Sequence, residues 1–348
     1  MVFSAHQVEE FALRILSAGG MDEEGARAAA QGLVEANLRG VDGHGVVRLM
    51  QYVASLEHGE VNPSPRITIV SGTGPHALVD AGGGYGYAPT QRAADLASML
   101  ANEHGLAIVG VRNSHHFGVA AIYANRVAAQ GLIGIVTTNT DSVMAHGAAR
   151  RAVVGNNPIA IAVPRREPHQ PVMVDFALSQ TAFGRIRLAA AEGRPIPTGW
   201  ALDPEGRPTT DSRAALAASM LLPIGDHKGY ALAFVTEALA GILTGSPFGK
   251  DASAHRHREG GVGHLVIAIR PDIFVGRDAF LDSLETWIGQ VRSAPVADGA
   301  PSLVIPGEPE LTIHVRRLAE GIPVSEELSA QFAVLAARLG VAPLGAGQ

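Results

Sequence analysis

The stretch Asp42-Gly43-His44-Gly45-Val46-Val47-Arg48-Leu49-Met50-Gln51-Tyr52 carries three side chains that together can handle an oxyanionic substrate. His44 can move a proton near neutral pH. Arg48 can grip a carboxylate through two parallel hydrogen bonds, and Tyr52 can add a neutral one. The three fall at i, i+4 and i+8, so a helix that begins by His44 presents them on one face. Asp42 can cap such a helix by accepting from its orphan N–H groups. Val46, Val47, Leu49, Met50, Val53 and Leu56 then supply the core stripe. The competing reading of the same spacing is a solvated polar face.

Ser114-His115-His116-Phe117-Gly118 offers a second histidine, between an expected strand and an expected helix, where ligands of α/β proteins collect. A histidine there can act as a general acid or base. The helix after Gly118 offers free N–H groups suited to a phosphate. Adjacent histidines point apart, so only one of the pair faces a site; a structural loop histidine is the alternative. Gly225-Asp226-His227-Lys228-Gly229-Tyr230 opens an apolar helix, where Lys228 and the helix start suit an anion or form a plain polar cap. Asp175, at a strand end, can bind ribose hydroxyls or cap the next helix. His255, Arg256, His257 and Arg258 read as a solvated loop, because the carboxylate partners of a metal site are missing. Gly82-Gly83-Gly84-Tyr85-Gly86 stands where a dinucleotide fingerprint would stand. Tyr87 occupies the position of its third glycine, so the run reads as a tight turn. There is no Walker A motif, and any nucleotide must bind in another way.

These segments need a scaffold. Ser4 with Gln7 forms a capping-box signature before Val8, Phe11, Ile15 and Leu16, and a second helix starts near Asp22. Residues 1–70 therefore read as a helical region, joined by a C-terminal helix within 310–348. After Asn62-Pro63-Ser64-Pro65 the pattern changes. Strands are expected at Ile67–Val70, His76–Ala81, Leu106–Val111, Leu132–Thr138, Pro158–Val163, Pro171–Ala177 and His264–Ile269. The fifth and sixth of these form a hairpin. Helices are expected from about Pro89 to Glu103, from Val119 to Gln130 and after Gly229, with Ser302–Ile305 returning to the core. Residues 71–309 thus read as a mixed β-sheet covered by helices, an α/β fold.

The 348 residues are 47% hydrophobic and 17% charged, which suits a globular protein with a sizeable core. A net charge of −6 gives no basic excess to attract nucleic acid. The absence of cysteine removes disulfides and thiolate metal sites and fits a reducing cytoplasm. No secretory signal is visible at the N-terminus, and Gly229–Gly245, short and holding Glu237, reads as a buried core helix rather than a membrane span.

Taken together, the motifs resemble the type 2 malate/L-lactate dehydrogenase family over most of the chain. Its relatives include ureidoglycolate dehydrogenase, sulfolactate dehydrogenase, diketogulonate reductase and piperideine-2-carboxylate reductase. The likeness rests on Arg39–Gly45 with Arg48 and Tyr52, on Asn113–Gly118, and on Gly155-Asn156-Asn157-Pro158-Ile159-Ala160. Val174–Ser179, His227-Lys228-Gly229-Tyr230 and Pro306-Gly307-Glu308 complete it. The resemblance implies a non-Rossmann fold like that of L-sulfolactate dehydrogenase. It implies an NAD- or NADP-dependent oxidoreductase acting on a small 2-oxo or 2-hydroxy acid, with reduction of a cyclic imino acid (a ketimine) as the alternative. A catalytically inactive nucleotide-binding protein is the alternative of another class. Carried over by motif, His44 and His116 are the acid/base candidates and Arg48 the carboxylate grip, with Tyr52 and Asn157 beside the substrate. His116, Phe117, Gly118, Val119 and Ala120 would line the cofactor. So would Val174, Asp175, Phe176, Ala177, Ser179, His227, Lys228, Pro306, Gly307 and Glu308. No metal, nucleic acid or membrane partner is expected, and a homodimer with sites near the subunit contact is. Two positions depart from the family pattern: Gly43 stands where Ser is usual, and Asp226 where Gly is common.

Overall fold

The computed structural model describes residues 1–147 and 149–346. Along the chain, β1 (Val2–Phe3), α1 (Ala5–Ala18), α2 (Glu23–Leu38) and α3 (Leu49–Glu57) come first. Next are β2 (Thr68–Thr73), β3 (His76–Asp80), α4 (Tyr87–His104), β4 (Leu106–Ser114), α5 (Ala120–Ala128) and β5 (Ile133–Thr138). A small lobe begins with β6 (Ser142–Met144) and β7 (Val154–Gly155), before β8 (Ile159–Val163) and β9 (Val172–Phe176) rejoin the sheet. The lobe resumes with α6 (Phe183–Ala191), β10 (Ala201–Leu202), β11 (Pro208–Thr209) and α7 (Ser212–Ala218), and α8 (His227–Glu237) follows. β12 (Val262–Ile269), α9 (Arg277–Ser293), α10 (Glu308–Glu320), β13 (Ile322–Pro323) and α11 (Glu326–Leu339) complete it.

The main sheet has seven strands in the order β2-β3-β4-β12-β5-β8-β9. Only the β3–β4 pair is parallel; the other neighbours are antiparallel, including the expected β8–β9 hairpin. β12, late in the chain, is the central strand between β4 and β5. One face is covered by α4 and α5, which bring Ala93, Ala94, Ala97, Ala101 and Ala124 against the strands, all fully buried. Such small side chains let a helix lie close on a pleated surface. On the other face, Ala238–Ile242 continues α8 as a π-helical turn. Gly263 of β12 is packed against this turn: a Cβ there would lie 2.1 Å from the Ala240 carbonyl oxygen.

The N-terminal helices form their own layer. Ser4 accepts from Gln7 N–H while the Gln7 side chain accepts from Ser4 N–H, closing the expected capping box. Asp22 caps α2 through Gly25 N–H at 2.9 Å. Phe11, Ile15, Leu33 and Leu49 pack with Phe332 and Leu335 of α11 in one core. The chain ends meet, since β1 pairs with β13.

Several expectations change. The last helix opens at Ser325 as its sequence predicts, with Phe332 and Leu335 buried (α11), but 310–348 holds a second helix as well: α10 was not expected, and Gly321, at φ +98°, ends it. Ser302, Leu303 and Val304 are exposed and only Ile305 is buried, so that segment does not return to the core. α6, α7 and α9 were not expected; α9 buries only Leu281 and Ile288, too few residues for a readable stripe. The helix after Gly229 is not buried all round: Leu232, Phe234, Val235, Ile242 and Leu243 are 54–64% exposed. Among the described residues no helix is long and apolar enough to cross a membrane.

The Gly82–Gly86 run is a packed turn, as its failed spacing predicts. Gly82 and Gly83 have φ of +61° and +78°, and a Cβ on Gly84 would meet Pro65 at 2.4 Å. Gly84→Ala is therefore expected to destabilise the fold by about 1–3 kcal/mol, the usual cost of overpacking. Nicotinamide affinity of the folded variant should stay near wild type. Chemical denaturation and a cofactor titration check the two halves; loss of cofactor affinity in a fully folded variant would make the run a phosphate loop after all.

Candidate active site

The helix expected to begin by His44 does not. Asp42–His44 and Val46–Arg48 are two short 3-10 turns, and α3 starts only at Leu49. The interruption is Gly45, packed so tightly that a Cβ would lie 2.2 Å from Asn37 Oδ1. Asn37 is buried and works as a hub: its Oδ1 accepts from Val46 N–H at 2.9 Å and its Nδ2 donates to Asp42 Oδ1 at 2.6 Å. Asp42 is thus no cap. Its carboxylate takes Arg317 of α10 through both oxygens, at 2.7 and 3.0 Å, and pins the turn that holds His44.

The expected residues nevertheless converge, joined by His116 from the end of β4. The His44 and His116 rings stack with centroids 5.5 Å apart. Tyr52 is fully buried, and its hydroxyl lies 2.5 Å from His116 Nδ1 and 2.9 Å from the Tyr87 hydroxyl. Tyr52 therefore meets His116 rather than offering a surface to substrate. Gly118 N–H also points at Nδ1, 3.3 Å away. A backbone N–H can only donate, so Nδ1 accepts from it; the Tyr52 phenol, which burial keeps protonated, then has to donate its one O–H to Nδ1 as well. Nδ1 is then the acceptor, and the ring proton sits on Nε2. His115 points the other way into the core, fully buried, as adjacent histidines should. Phe117 stacks on buried His264 at 4.5 Å, and His264 bridges Ser114 Oγ and Thr138 Oγ1 at 2.8 and 2.7 Å. This inner network fixes the loop that carries His116.

Arg48 spends Nε on the Gly43 carbonyl (2.8 Å) and one Nη1 hydrogen on Gln51 (2.9 Å). The ends of the two Nη groups remain for an anion, so a carboxylate would be held end-on. Gly43 has open space where a side chain would be. His255 was expected in a solvated loop, which holds for exposed Arg256–Glu259 but not for His255 itself. Its ring stacks on His116 at 5.3 Å and lies 6.4 Å from Tyr52. The missed signal was composition: Ala252-Ser253-Ala254 before it and Gly260-Gly261 after it are small residues that bury the loop ends.

Other expected residues stand apart. Asn157 is fully buried, with φ +24°; its amide donates to Glu237 (2.7 Å) and the Ala233 carbonyl (2.9 Å) and its oxygen accepts from Thr140 N–H (3.0 Å). It braces α8 against β5 and β8, with no polar atom left over for a substrate. Ser179 is likewise spent, donating to the Thr181 carbonyl at 2.8 Å. Asp175 accepts from Ala121 N–H at 2.9 Å. The α5 start therefore already holds a carboxylate and is not the open phosphate site expected there. The residue is exposed on its outer side, yet enclosure of the carboxyl raises it to about 6, against the lowering by Ala121 N–H and Arg39. Pro306 borders β9 through its carbonyl, which accepts from Met173 N–H at 3.0 Å. Gly307 packs on Met173, and Glu308 pairs with Arg292. Val174 and Ala177 are half-buried and Phe176 exposed on this edge. His227 and Lys228 open α8 exposed, and Lys228 has no ion pair among the described residues. Asp226 does not cap α8; it lies 3.4 Å from His146. No group among the described residues could hold a metal ion.

A mixed-sheet α/β fold that gathers imidazoles and a guanidinium at a strand end has the groups to move a proton and to hold a carboxylate. A sequence profile of the malate/L-lactate dehydrogenase family matches residues 3–333, and the chain belongs to that family. It is 37% identical to L-sulfolactate dehydrogenase of Methanothermobacter thermautotrophicus over 329 residues, covering 94% of each. It is 32% identical to Delta(1)-pyrroline-2-carboxylate reductase 1 of Burkholderia ambifaria, covering 94% of this chain and 95% of that one. The solved structure of malate dehydrogenase from Pyrococcus horikoshii OT3 superposes with a TM-score of 0.90 at 31% identity, covering 99% and 97% of the two chains.

Burial sets the charge state of the site. It holds His44 and His255 at about 4, His44 further lowered by Arg48, and pushes His116 well below the ordinary 6.5. His115 and His264 are held at about 4 and about 3. An unfolded chain takes up these protons near 6.5, the folded one only near 4 or below. The unfolded state thus binds more protons as pH falls through that window, and stability declines with it. Asp175, raised, works in the opposite direction but is one group against five. The melting temperature is expected to drop by several degrees or more from pH 7 to pH 4, and His44→Asn should flatten part of the slope. Calorimetry across that range checks this; a flat profile would show that the rings are not held neutral.

Proposed function

We propose that this chain is an NAD- or NADP-dependent oxidoreductase that reduces the carbonyl of a small 2-oxo acid, or oxidises the matching 2-hydroxy acid. The observation that carries the reading is the convergence of His44 and Arg48 on a His116 ring whose proton is fixed on Nε2. Arg48 holds the substrate carboxylate by its free Nη ends. When bound, the reduced nicotinamide supplies the hydride received by the carbonyl carbon. His44 delivers the proton to the carbonyl oxygen, because His116 would have to give up two hydrogen bonds to take a second proton on Nδ1. His116 donates a neutral hydrogen bond from Nε2. The residues present fit the cofactor: the Asp175 carboxylate, oriented by Ala121 N–H, suits ribose hydroxyls beside Val119 and Ala120. His227 and Lys228 at the α8 start suit a phosphate, and Pro306–Glu308 closes the β9 edge.

His44 is neutral in the free site, so its proton arrives with the anion, whose charge favours the imidazolium. For reduction the acid must be protonated, so the rate falls as pH rises. The midpoint in kcat/KM, set by the free enzyme, is expected lower than that in kcat, set by the complex. His44→Asn should lower kcat by about a hundredfold or more and remove this limb. Reduced-nicotinamide absorbance against 2-oxo acids over pH 5–9 tests both; wild-type turnover in His44→Asn would sink the assignment. Reduction of a cyclic ketimine acid is the second reading, favoured by the neutral histidines, since a protonated imine brings its own proton. The same assay run with cyclic ketimine acids decides between them.

We assign the working form as a cytoplasmic homodimer. The exposed apolar flank of α8 and its π turn supports this, being larger than isolated surface hydrophobes account for. Phe234→Glu with Leu243→Glu is expected to give a monomer by sedimentation. Its cofactor constant should rise as well, because Lys228 opens the same helix. An unchanged dimer would place the contact elsewhere.

A further inference from the structure

The oxidoreductase reading above, on which this inference rests, puts two ligands on different elements. The dinucleotide lies along Asp175 and Pro306–Glu308, and the 2-oxo acid meets Arg48 and His44. α10 touches both places. Its start closes the β9 edge: Glu308 accepts from Ile305 N–H at 2.8 Å, and the Pro306 carbonyl accepts from Met173 N–H at 3.0 Å. Its last turn supplies Arg317, which donates to both Asp42 oxygens and to the Asn37 carbonyl. About 14 Å of helix separate Glu308 from Arg317.

The end of α2 braces the same helix. Glu35 accepts from Arg39 at 2.6 Å and lies 3.3 Å from Nε2 of His314 in α10. Enclosure raises the Asp175 carboxyl, Arg39 opposes that, and Glu310 in the first turn of α10 adds to it. Two residues before Arg39, Asn37 holds Asp42 and the Val46 N–H. One helix and the last turn of another therefore stand between the Asp175 carboxylate and the turn that carries His44 and Arg48. None of the α10 residues is buried, and its ties at either end are hydrogen bonds and ion pairs. A stiff helix held in this way shifts as one piece, so a displacement at Glu308 arrives at Arg317.

We propose that Arg317 is a positioning residue through which α10 couples the two ligands. An occupied β9 edge sets α10. Arg317 then sets, through Asp42 and Asn37, the turn that presents Arg48 to the substrate carboxylate. The chain thereby favours the 2-oxo acid once the dinucleotide is in place, and each ligand tightens the other by the same factor.

The test uses two probes that do not react. ADP-ribose carries both riboses and the diphosphate but no nicotinamide, and oxamate is a pyruvate analogue that accepts no hydride. With the nicotinamide missing between them, coupling has to run through the protein. Calorimetry of oxamate binding with and without saturating ADP-ribose gives the coupling factor. Wild type is expected to bind oxamate about fivefold or more tighter when ADP-ribose is present, the usual size of such coupling. Arg317→Gln should bring the factor below about twofold while ADP-ribose alone binds within about twofold of wild type. Arg317→Lys keeps the charge but loses the fork, so it should retain part of the factor; it carries the test where Arg317→Gln does not melt cooperatively. A purely structural Arg317 would weaken oxamate equally with and without ADP-ribose. A wild-type factor kept in the folded variants therefore overturns the proposal, and so does the absence of coupling in wild type. Wild type that binds no ADP-ribose, or no oxamate even with ADP-ribose present, overturns the oxidoreductase reading instead.

Discussion

The hydrogen-bond chain from Tyr87 through Tyr52 to His116 ties the helical layer to the sheet. Tyr52 belongs to α3, Tyr87 opens α4 and His116 follows β4, so three elements distant in sequence meet in two hydrogen bonds. The space for Tyr87 is hollowed out by glycines. A Cβ on Gly32 would lie 2.3 Å from its ring, and one on Gly118 would lie 2.7 Å away. A buried phenol must find a partner, and here the partner is an imidazole nitrogen that is thereby kept free of a proton. One packing constraint thus fixes both the meeting of the layers and the chemical identity of a ring at the site.

The electrostatics follow the same division. Outside the site, Arg317 meets Asp42, Arg165 meets Glu285 and Arg112 meets Asp80. Within it, Arg48 and three imidazoles meet only neutral partners and each other. Burial alone would make such a group costly if charged, and the imidazoles answer by staying neutral. The site is therefore poised to change protonation when an anion enters, and Asp42–Arg317 holds it in place without lending it charge.

Much of this was legible in the sequence because it depends on local periodicity or on unmistakable residue types. The capping box at Ser4, the alternation of strands and helices and the failed glycine fingerprint all act within a few residues. Ordered motifs at matching spacing pointed to the family. What could not be read depends on contacts far along the chain. Gly45 breaks the helix because Asn37 fills the space beside it, and Asp42 leaves its cap because Arg317 arrives from α10. Asn157 looked like a site residue and is a brace, because Glu237 reaches it from eighty positions away. His255 looked solvated because its neighbours are; only its stacking on His116 shows otherwise.

The place of β12 has a bearing on how the molecule is made. The strand that fills the middle of the sheet is made long after β4 and β5, which it must separate. Without residues 262–269, the edges of β4 and β5 that pair with β12 have no partner. Such edges invite wrong pairings, and long-range strand insertion is slow. The loop that delivers His255 leads directly into this strand. The histidine cluster and the centre of the sheet thus depend on one stretch of chain, and a chain lacking it would lack both His255 and the strand between β4 and β5.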